Sequence, residues 1–483
     1  MKLGLVVQRY GADINGGAEQ HARYIAERLA PRHDVTVLTT CARDYITWRN
    51  DLPEGNDQVG LVRVLRFPVA RERDPDEFGR LSFDVFEREH SVKDELRWLD
   101  AEGPTSPALI RHIEHHAQDY DYLFFFSFRY YHSYHGTRAA SERAILVPTA
   151  ERDPVMGMGI FPPVFRGVRG IMYNSPEERA MIQAASANHD VPGVVVGVGS
   201  QVPDRADARR FRRKHRIDGP FVLYLGRIDE NKGCAELFQF FQHYLFNTRV
   251  PLTLALVGRS ILPIPEHPQI RHLGFMDDRD KFDALAACEA LVMPSFYESL
   301  SMVAIEAWGM GRPVLANARC DVLQGQCIRS NAGLYYRDYP EFAETLHALT
   351  TNRSLNEALG HNGRAFYKAH YAWPVIDRKY DAMLAQLSEA DRAGRPARME
   401  ALPGWIARQR DTLRPAREVL EGLPSGAVRN VLEPTVAAAP VHSPRANRPN
   451  RNGRSAPRGG PPPRRRGGSG RRPTSGGRGG APR

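Results

Sequence analysis

Residues 293–315, MPSFYESLSMVAIEAWGMGRPVL, are the stretch from which the rest of the chain is read. They follow an apolar run at 290–293 that predicts a buried strand, turn at Pro294-Ser295 and become helical. Gly309 and Gly311 end the helix, and Pro313 precedes the next strand at 314–316. Glu298 and Glu306 stand eight positions apart. On a helix that separation is two turns plus about 80°, so the carboxylates do not stack. One belongs to the loop or first turn and the other lies two turns deeper. A carboxylate accepts two hydrogen bonds in a fork, which suits neighbouring hydroxyls on a ring. Spacing alone favours a plainer explanation, in which Glu298 complements the helix N-terminus and Glu306 is solvated.

Outward from this stretch, strands and helices alternate. Runs at 3–7, 35–39, 59–67, 122–126, 144–147 and 170–173 read as strands of a first parallel sheet. Runs at 221–225, 252–257, 270–273, 290–293, 314–316 and 333–335 read as a second sheet. Gly16 and Gly17 precede a helix at 18–30, where bare amides can approach an anion. They do not complete the G-x-G-x-x-G of dinucleotide folds, which argues against a dehydrogenase. The charged segment 70–105 predicts a helical insertion. Arg129, His132 and His135 follow the end of the 122–126 strand, and Glu151 follows the end of the 144–147 strand. In open α/β sheets, sites lie off the carboxyl ends of strands. These four residues are therefore acceptor-side candidates, although the histidine and tyrosine cluster suits a packed face equally well. Gly226-Arg227 and Lys232-Gly233 join the 221–225 strand to a helix at 235–246. Arg227 offers a planar fork and Lys232 a point charge, two ways of holding phosphate.

The composition is that of a soluble globular protein, 42% apolar and 25% charged. The net charge of +10 is unevenly spread: residues 391–483 carry 20 Arg, no Lys and 6 acidic residues. Residues 1–390 carry 46 basic and 50 acidic ones. From 440 onward the chain is mostly Arg, Gly, Pro, Ser and Asn with no acidic residue, a composition that predicts disorder. Its charge suits nucleic acid or an anionic membrane, but it lacks aromatics for base stacking. A solvated tail is the plainer alternative. The five cysteines are scattered, without zinc-ligand spacing, and predict reduced thiols. No apolar run reaches the length of a membrane span, and the first is too short for a signal peptide. The expectation is a cytoplasmic protein, peripheral at most on the inner membrane face.

The phrases Pro-Ser-Phe-Tyr-Glu298, Glu306-Ala-Trp-Gly-Met-Gly-Arg-Pro-Val, Gly226-Arg227…Lys232-Gly233 and Gly16-Gly17-Ala-Glu resemble the retaining nucleotide-sugar glycosyltransferases of family 4 (group 1). The resemblance covers about 1–387. It implies an α/β chain of the GT-B class, two Rossmann-like domains facing across a cleft, with a disordered basic C-terminal tail. The expected boundaries are 1–199 for the acceptor-side domain and 200–371 for the donor-binding domain. A crossover helix at 372–390, a linker at 391–439 with a helix at 403–420, and a tail at 440–483 follow.

The resemblance also implies roles. Arg227 and Lys232 hold the donor diphosphate, Glu298 the sugar hydroxyls and Glu306 the ribose. Catalysis would fall to Glu298, Arg227 and Lys232. Gly16, Gly17, Gly226, Phe275, Met276, Ser299, Leu300 and Ser301 complete the donor site, with the backbone at Phe275-Met276 reading the base. Ser299 and Ser301 stand where many relatives have glycine, which leaves the sugar open. The implied reaction transfers a sugar from a UDP- or GDP-linked donor to a glycan or lipid-linked acceptor, with no cofactor and no metal. An epimerase or phosphorylase could use the same cleft, and a non-catalytic polyanion binder could act through the tail.

Overall fold

The apolar runs form two twisted sheets. The structure, a computed structural model, describes residues 1–14, 16–395 and 399. The first sheet contains β1 (Lys2–Val6), β2 (Asp34–Thr40), β3 (Gly55–Val59), β4 (Val62–Phe67), β5 (Tyr122–Phe126), β6 (Ala144–Val147), β7 (Gly170–Tyr173) and β8 (Gly193–Val195). Its order is β3-β4-β2-β1-β5-β6-β7-β8, parallel except for the β3–β4 pair. The second contains β9 (Phe221–Leu225), β10 (Thr253–Val257), β11 (Ile270–His272), β12 (Ala290–Met293), β13 (Val314–Asn317) and β14 (Gly333–Tyr336). Its order is β11-β10-β9-β12-β13-β14, all parallel.

A strand such as YLFFF (Tyr122–Phe126) has no polar position, so both faces of its sheet must be covered. Alternate residues serve the two faces. Leu3, Leu5, Tyr122, Phe124 and Phe126 pack with the helix Gly17–Leu29 and with the last described helix, Trp373–Asp391. Val6, Leu123 and Phe125 point the other way, under the helices Val92–Glu102 and Pro107–His116. In the second lobe, Phe221 and Leu223 face Trp308, while Val222 and Tyr224 face the helix Cys234–Thr248.

The helix Trp373–Asp391 follows the second lobe in sequence yet packs on the first, through Ile376, Tyr380, Met383, Leu384 and Leu387. Its end is held by a buried ion pair, Arg169–Asp391 at 2.7 Å, and Tyr122 Oη donates to Asp391 at 2.6 Å. Inside each sheet the connections run in opposite directions from one central strand, β1 or β9. A crevice opens at that switch point, off the carboxyl ends of the strands, and there the fold presents its loops.

Two local readings need correction. The run 59–67 is not one strand. Gly60, at φ 60°, turns the chain, and the polar strand GNDQV (Gly55–Val59) returns antiparallel along the sheet edge. That edge strand has no apolar alternation to mark it. The helix expected right after Pro294-Ser295 begins later: it is Met302–Gly309, started by Ser301, and 294–301 is a loop, the first of the two places open to Glu298. The helix expected at 403–420 and the tail at 440–483 lie outside the described residues. Among the described residues no helix is long and apolar enough to cross a membrane.

Candidate active site

The two switch points face each other across a cavity of about 860 Å³. The first lobe contributes Arg9 after β1, Gly16 and Gly17 at the start of the helix Gly17–Leu29, Ser127–Tyr130 after β5, and Glu151 and Asp153 after β6. The second contributes Gly226, Arg227 and Lys232 after β9 and Ser295–Ser301 after β12. A Cβ on Gly17 would meet nothing within 4 Å, so the helix start is open at Gly17, while the Glu19 carboxylate lies over Gly16.

The charged side chains are organised before any ligand arrives. Lys232 Nζ donates to Glu298 Oε1 at 2.7 Å. Arg227 pairs with the buried Asp229, whose other oxygen accepts from the Lys232 amide at 2.8 Å. Asp229 thus anchors the backbone under both cations. Arg227 also reaches the opposite lobe, where its Nη1 donates to Tyr45 Oη at 2.9 Å. The Arg9 guanidinium lies 5.5 Å from the centre of the same tyrosine ring. Arg9 in turn donates to Glu19 at 2.9 Å and to the Arg43 carbonyl at 2.7 Å. Sequence reading missed Tyr45, Arg9, Glu19, Asp153 and Asp229. Arg9, just after the first strand, and Glu19, the last residue of the Gly16-Gly17-Ala-Glu phrase, had a local signal.

Ser299, Leu300 and Ser301 line the cavity with Glu298. Ser301 sits at φ 70°, a left-handed conformation that glycine adopts freely, and its Oγ accepts from the Ala304 amide at 3.4 Å as a helix N-cap. Ser301→Gly is therefore expected to stabilise the fold by about 1 kcal/mol. The left-handed backbone costs roughly 1–2 kcal/mol, and glycine forfeits only a few tenths of an N-cap. Thermal unfolding measures this; a lower melting temperature would show that the cap outweighs the strain.

Glu306 does not open onto the main cavity. It is buried, accepts from Ser200 at 3.0 Å and from Lys281 at 2.8 Å, and borders a neighbouring cavity of about 160 Å³ with Tyr24 and Trp373. The solvated alternative for Glu306 is thereby corrected. Phe275 is exposed and Met276 packs against the second-lobe core; neither lines the main cavity.

On the acceptor side, Arg129 lines the cavity, bound to Glu102 at 2.8 Å and Asp153 at 2.9 Å. The two histidines do not reach it. His132 is fully buried with Nε2 3.0 Å from the Phe126 carbonyl, and burial pushes its imidazole down to about 4. His135 packs its ring 4.3 Å from Tyr131, and burial lowers it likewise to about 4. The packed-face alternative describes both: the helix Tyr131–Ala139 buries His132, and His135 is half-buried against Tyr131 and Tyr134. Glu151 does line the cavity. Behind it the buried Glu178 accepts from the Ala150 amide at 2.6 Å and from the Asn174 amide, tying the ends of β6 and β7 together.

Among the described residues, no three His, Cys, Asp or Glu side chains converge to hold a metal ion. Asp-x-Asp pairs occur at Asp74–Asp76 and Asp278–Asp280, each at a helix N-terminus, and at Asp119–Asp121, just before β5; none of them lines the cavity. All five cysteines are buried free thiols.

Residues 219–352 match the family model described as Glycosyl transferases group 1. The chain is 28% identical over 211 residues to a phosphatidyl-myo-inositol mannosyltransferase of Propionibacterium freudenreichii, covering 42% of this chain and 53% of that protein. Matches of this kind span about half the length of the curated relatives. A sucrose-phosphate synthase from Thermosynechococcus elongatus has a similar fold, with TM-score 0.58 and 18% identity over 80% of this chain and 99% of that one. HepE of Anabaena, solved with UDP and glucose, is similar at TM-score 0.58 and 16% identity, over 80% of this chain and all of that one. The chain thus carries, at residues 219–352, a domain of the glycosyl transferases group 1 family, within a GT-B fold of two facing Rossmann-like lobes.

Proposed function

We propose that this protein transfers a sugar from a nucleotide-sugar donor to an acceptor hydroxyl, with retained anomeric configuration and without a metal ion. The observation that carries this reading is convergence on one cavity. The helix start at Gly16-Gly17 comes from one lobe, Arg227 and Lys232 from the other, and Glu298 lies beside Lys232. A diphosphate placed there meets amide dipoles on one side and two fixed cations on the other. Departure of the nucleotide leaves negative charge on that diphosphate, and cations already in position stabilise it without reorganising. Lys232 has three donor protons and gives one to Glu298. It can hold phosphate while the second carboxylate oxygen of Glu298 accepts from sugar hydroxyls. In the adjoining cavity Glu306 is placed to accept from a ribose once Lys281 yields one of its bonds.

A UDP-linked donor is the first choice, since HepE was solved with UDP; a GDP-linked one is the second. The acceptor is a glycan or lipid-linked hydroxyl, in keeping with the inositol-lipid mannosyltransferase the chain resembles. The test is a thermal-shift screen of the full chain against UDP-, GDP- and ADP-sugars, with and without EDTA. One nucleotide class should raise the melting temperature; at a hundredfold excess over Kd the gain is about 2.7 kcal/mol. The shift should survive EDTA. Stabilisation that EDTA abolishes would refute metal-independent binding, and no shift with any donor would refute the donor site.

A further inference from the structure

We propose that Glu151 takes the proton of the acceptor hydroxyl during sugar transfer. This inference rests on the donor reading above. Four carboxylates line the cavity: Glu19, Glu151, Asp153 and Glu298. Three are committed, Glu19 to Arg9, Asp153 to Arg129 and Glu298 to Lys232. The Glu151 side chain, although partly buried, forms neither an ion pair nor a hydrogen bond with any described residue. A half-buried carboxylate that faces the cavity without a partner is free to meet a ligand, whereas a structural role would have supplied one. Its charged surroundings come from both lobes: Lys232, Glu298, Asp153 and Arg129, with Glu178 and Cys320 nearby. The cations within reach are already bound to other carboxylates. Burial is the main influence and raises the Glu151 carboxyl to about 7. A group that exchanges its proton near neutral pH is what general base catalysis needs.

The backbone holds Glu151 firmly in that place. Ser127, after β5, and Thr149, after β6, both sit in the left-handed region, at φ 65° and 49°. Their hydroxyls hydrogen-bond each other at 2.6 Å, and both residues line the cavity. Strain of this kind persists only where surrounding contacts enforce it. Here the contacts are that hydroxyl pair and the Glu178 carboxylate on the Ala150 amide. The result is a rigid strand end that carries Glu151 toward Lys232 and Glu298. In the proposed step the acceptor O–H bond breaks and its proton passes to Glu151. The freed electron pair forms the bond to the anomeric carbon on the face from which the diphosphate leaves, so the configuration is retained. The bond from that carbon to the diphosphate breaks, and its electron pair leaves on the diphosphate facing Arg227 and Lys232.

The test compares the full wild-type chain with Glu151→Gln and Glu151→Asp. UDP and GDP release are followed from UDP-glucose and GDP-mannose with water as acceptor, from two pH units below to two above neutrality. The base form of Glu151 predominates above its pKa, so wild-type kcat/KM, which reports the free enzyme, should rise through about pH 7. Glu151→Gln should lose about 10²–10⁴-fold in kcat together with that pH dependence, and Glu151→Asp should recover part of both. The Kd for UDP should be no weaker than in the wild type. A Glu151→Gln rate and profile like the wild type would overturn the assignment. So would a loss of UDP affinity as large as the loss of kcat/KM, which would make Glu151 a donor-holding group.

A second readout needs no acceptor. UDP binding is measured by calorimetry in two buffers of different ionisation enthalpy. Diphosphate charge beside Glu151 favours its protonated form, so the wild type should take up a proton that Glu151→Gln does not. Equal uptake in both chains would count against the proposal. Wild-type chain that binds neither UDP nor GDP would refute the donor reading itself.

Discussion

Lys232→Ala is expected to lower the rate of sugar transfer about 10²–10³-fold, the loss that follows removal of one preorganised charge-stabilising donor. The effect has two sources. The departing diphosphate loses a fixed cation at the point where its charge grows. Glu298 also loses the partner that orients it at 2.7 Å, so its grip on the sugar loosens at the same time. Breaking a fully buried ion pair costs about 3–5 kcal/mol. Lys232 retains 28% of its side-chain exposure and Glu298 13%, so water relieves part of that penalty. We expect a stability loss of about 1–3 kcal/mol. The kinetic and structural parts separate in a double-mutant cycle with Glu298→Gln, reading kcat, KM and the unfolding midpoint for each chain. Lys232→Arg restores charge without the same geometry and should recover only part of the rate. Turnover in Lys232→Ala equal to the wild type would remove this lysine from the site.

Gly233→Ala is expected to destabilise the protein by about 3–5 kcal/mol, near the top of the range for single substitutions. Gly233 has φ 69°, and an added Cβ would lie 2.1 Å from the Pro294 carbonyl oxygen. That oxygen cannot easily move, because it also accepts from Asn317 Nδ2 at 3.0 Å in the buried interior. The left-handed backbone contributes roughly 1–2 kcal/mol of the penalty; the collision with backbone contributes the rest. Urea unfolding of both chains gives the difference, and a loss below 1 kcal/mol would mean that the loop at Pro294 yields. The same contact explains why glycine follows Lys232. It lets the start of the helix Cys234–Thr248 close against the end of β12, and so brings Lys232 within reach of Glu298.

Much of the fold was legible in the chain because its signals are local. The runs 221–225 and 290–293 match the observed β9 and β12. Strands buried on both faces are unbroken apolar runs, and turn residues punctuate them. The strand Gly55–Val59 left no such trace, since an exposed edge strand makes no demand on hydrophobic pattern. The start at Met302 of its helix was equally hidden, because it depends on Ser301 holding a left-handed backbone.

The candidate site divides along the same line. Arg227, Lys232, Glu298 and the Gly16-Gly17 pair could be singled out because each lies at a strand end or helix start, and strand ends in such sheets face the crevice. What the sequence by itself determined was which residues stand at those ends. Only the tertiary structure decided which of them meet. It turned His132 into the core and packed His135 on neighbouring tyrosines, gave Glu306 a cavity of its own with Lys281, and set Tyr45 of one lobe against Arg227 of the other. It also left Glu151 as the cavity carboxylate without a partner. Pairing between side chains far apart in sequence follows from how two sheets are brought face to face, and no local period in the chain records that distance.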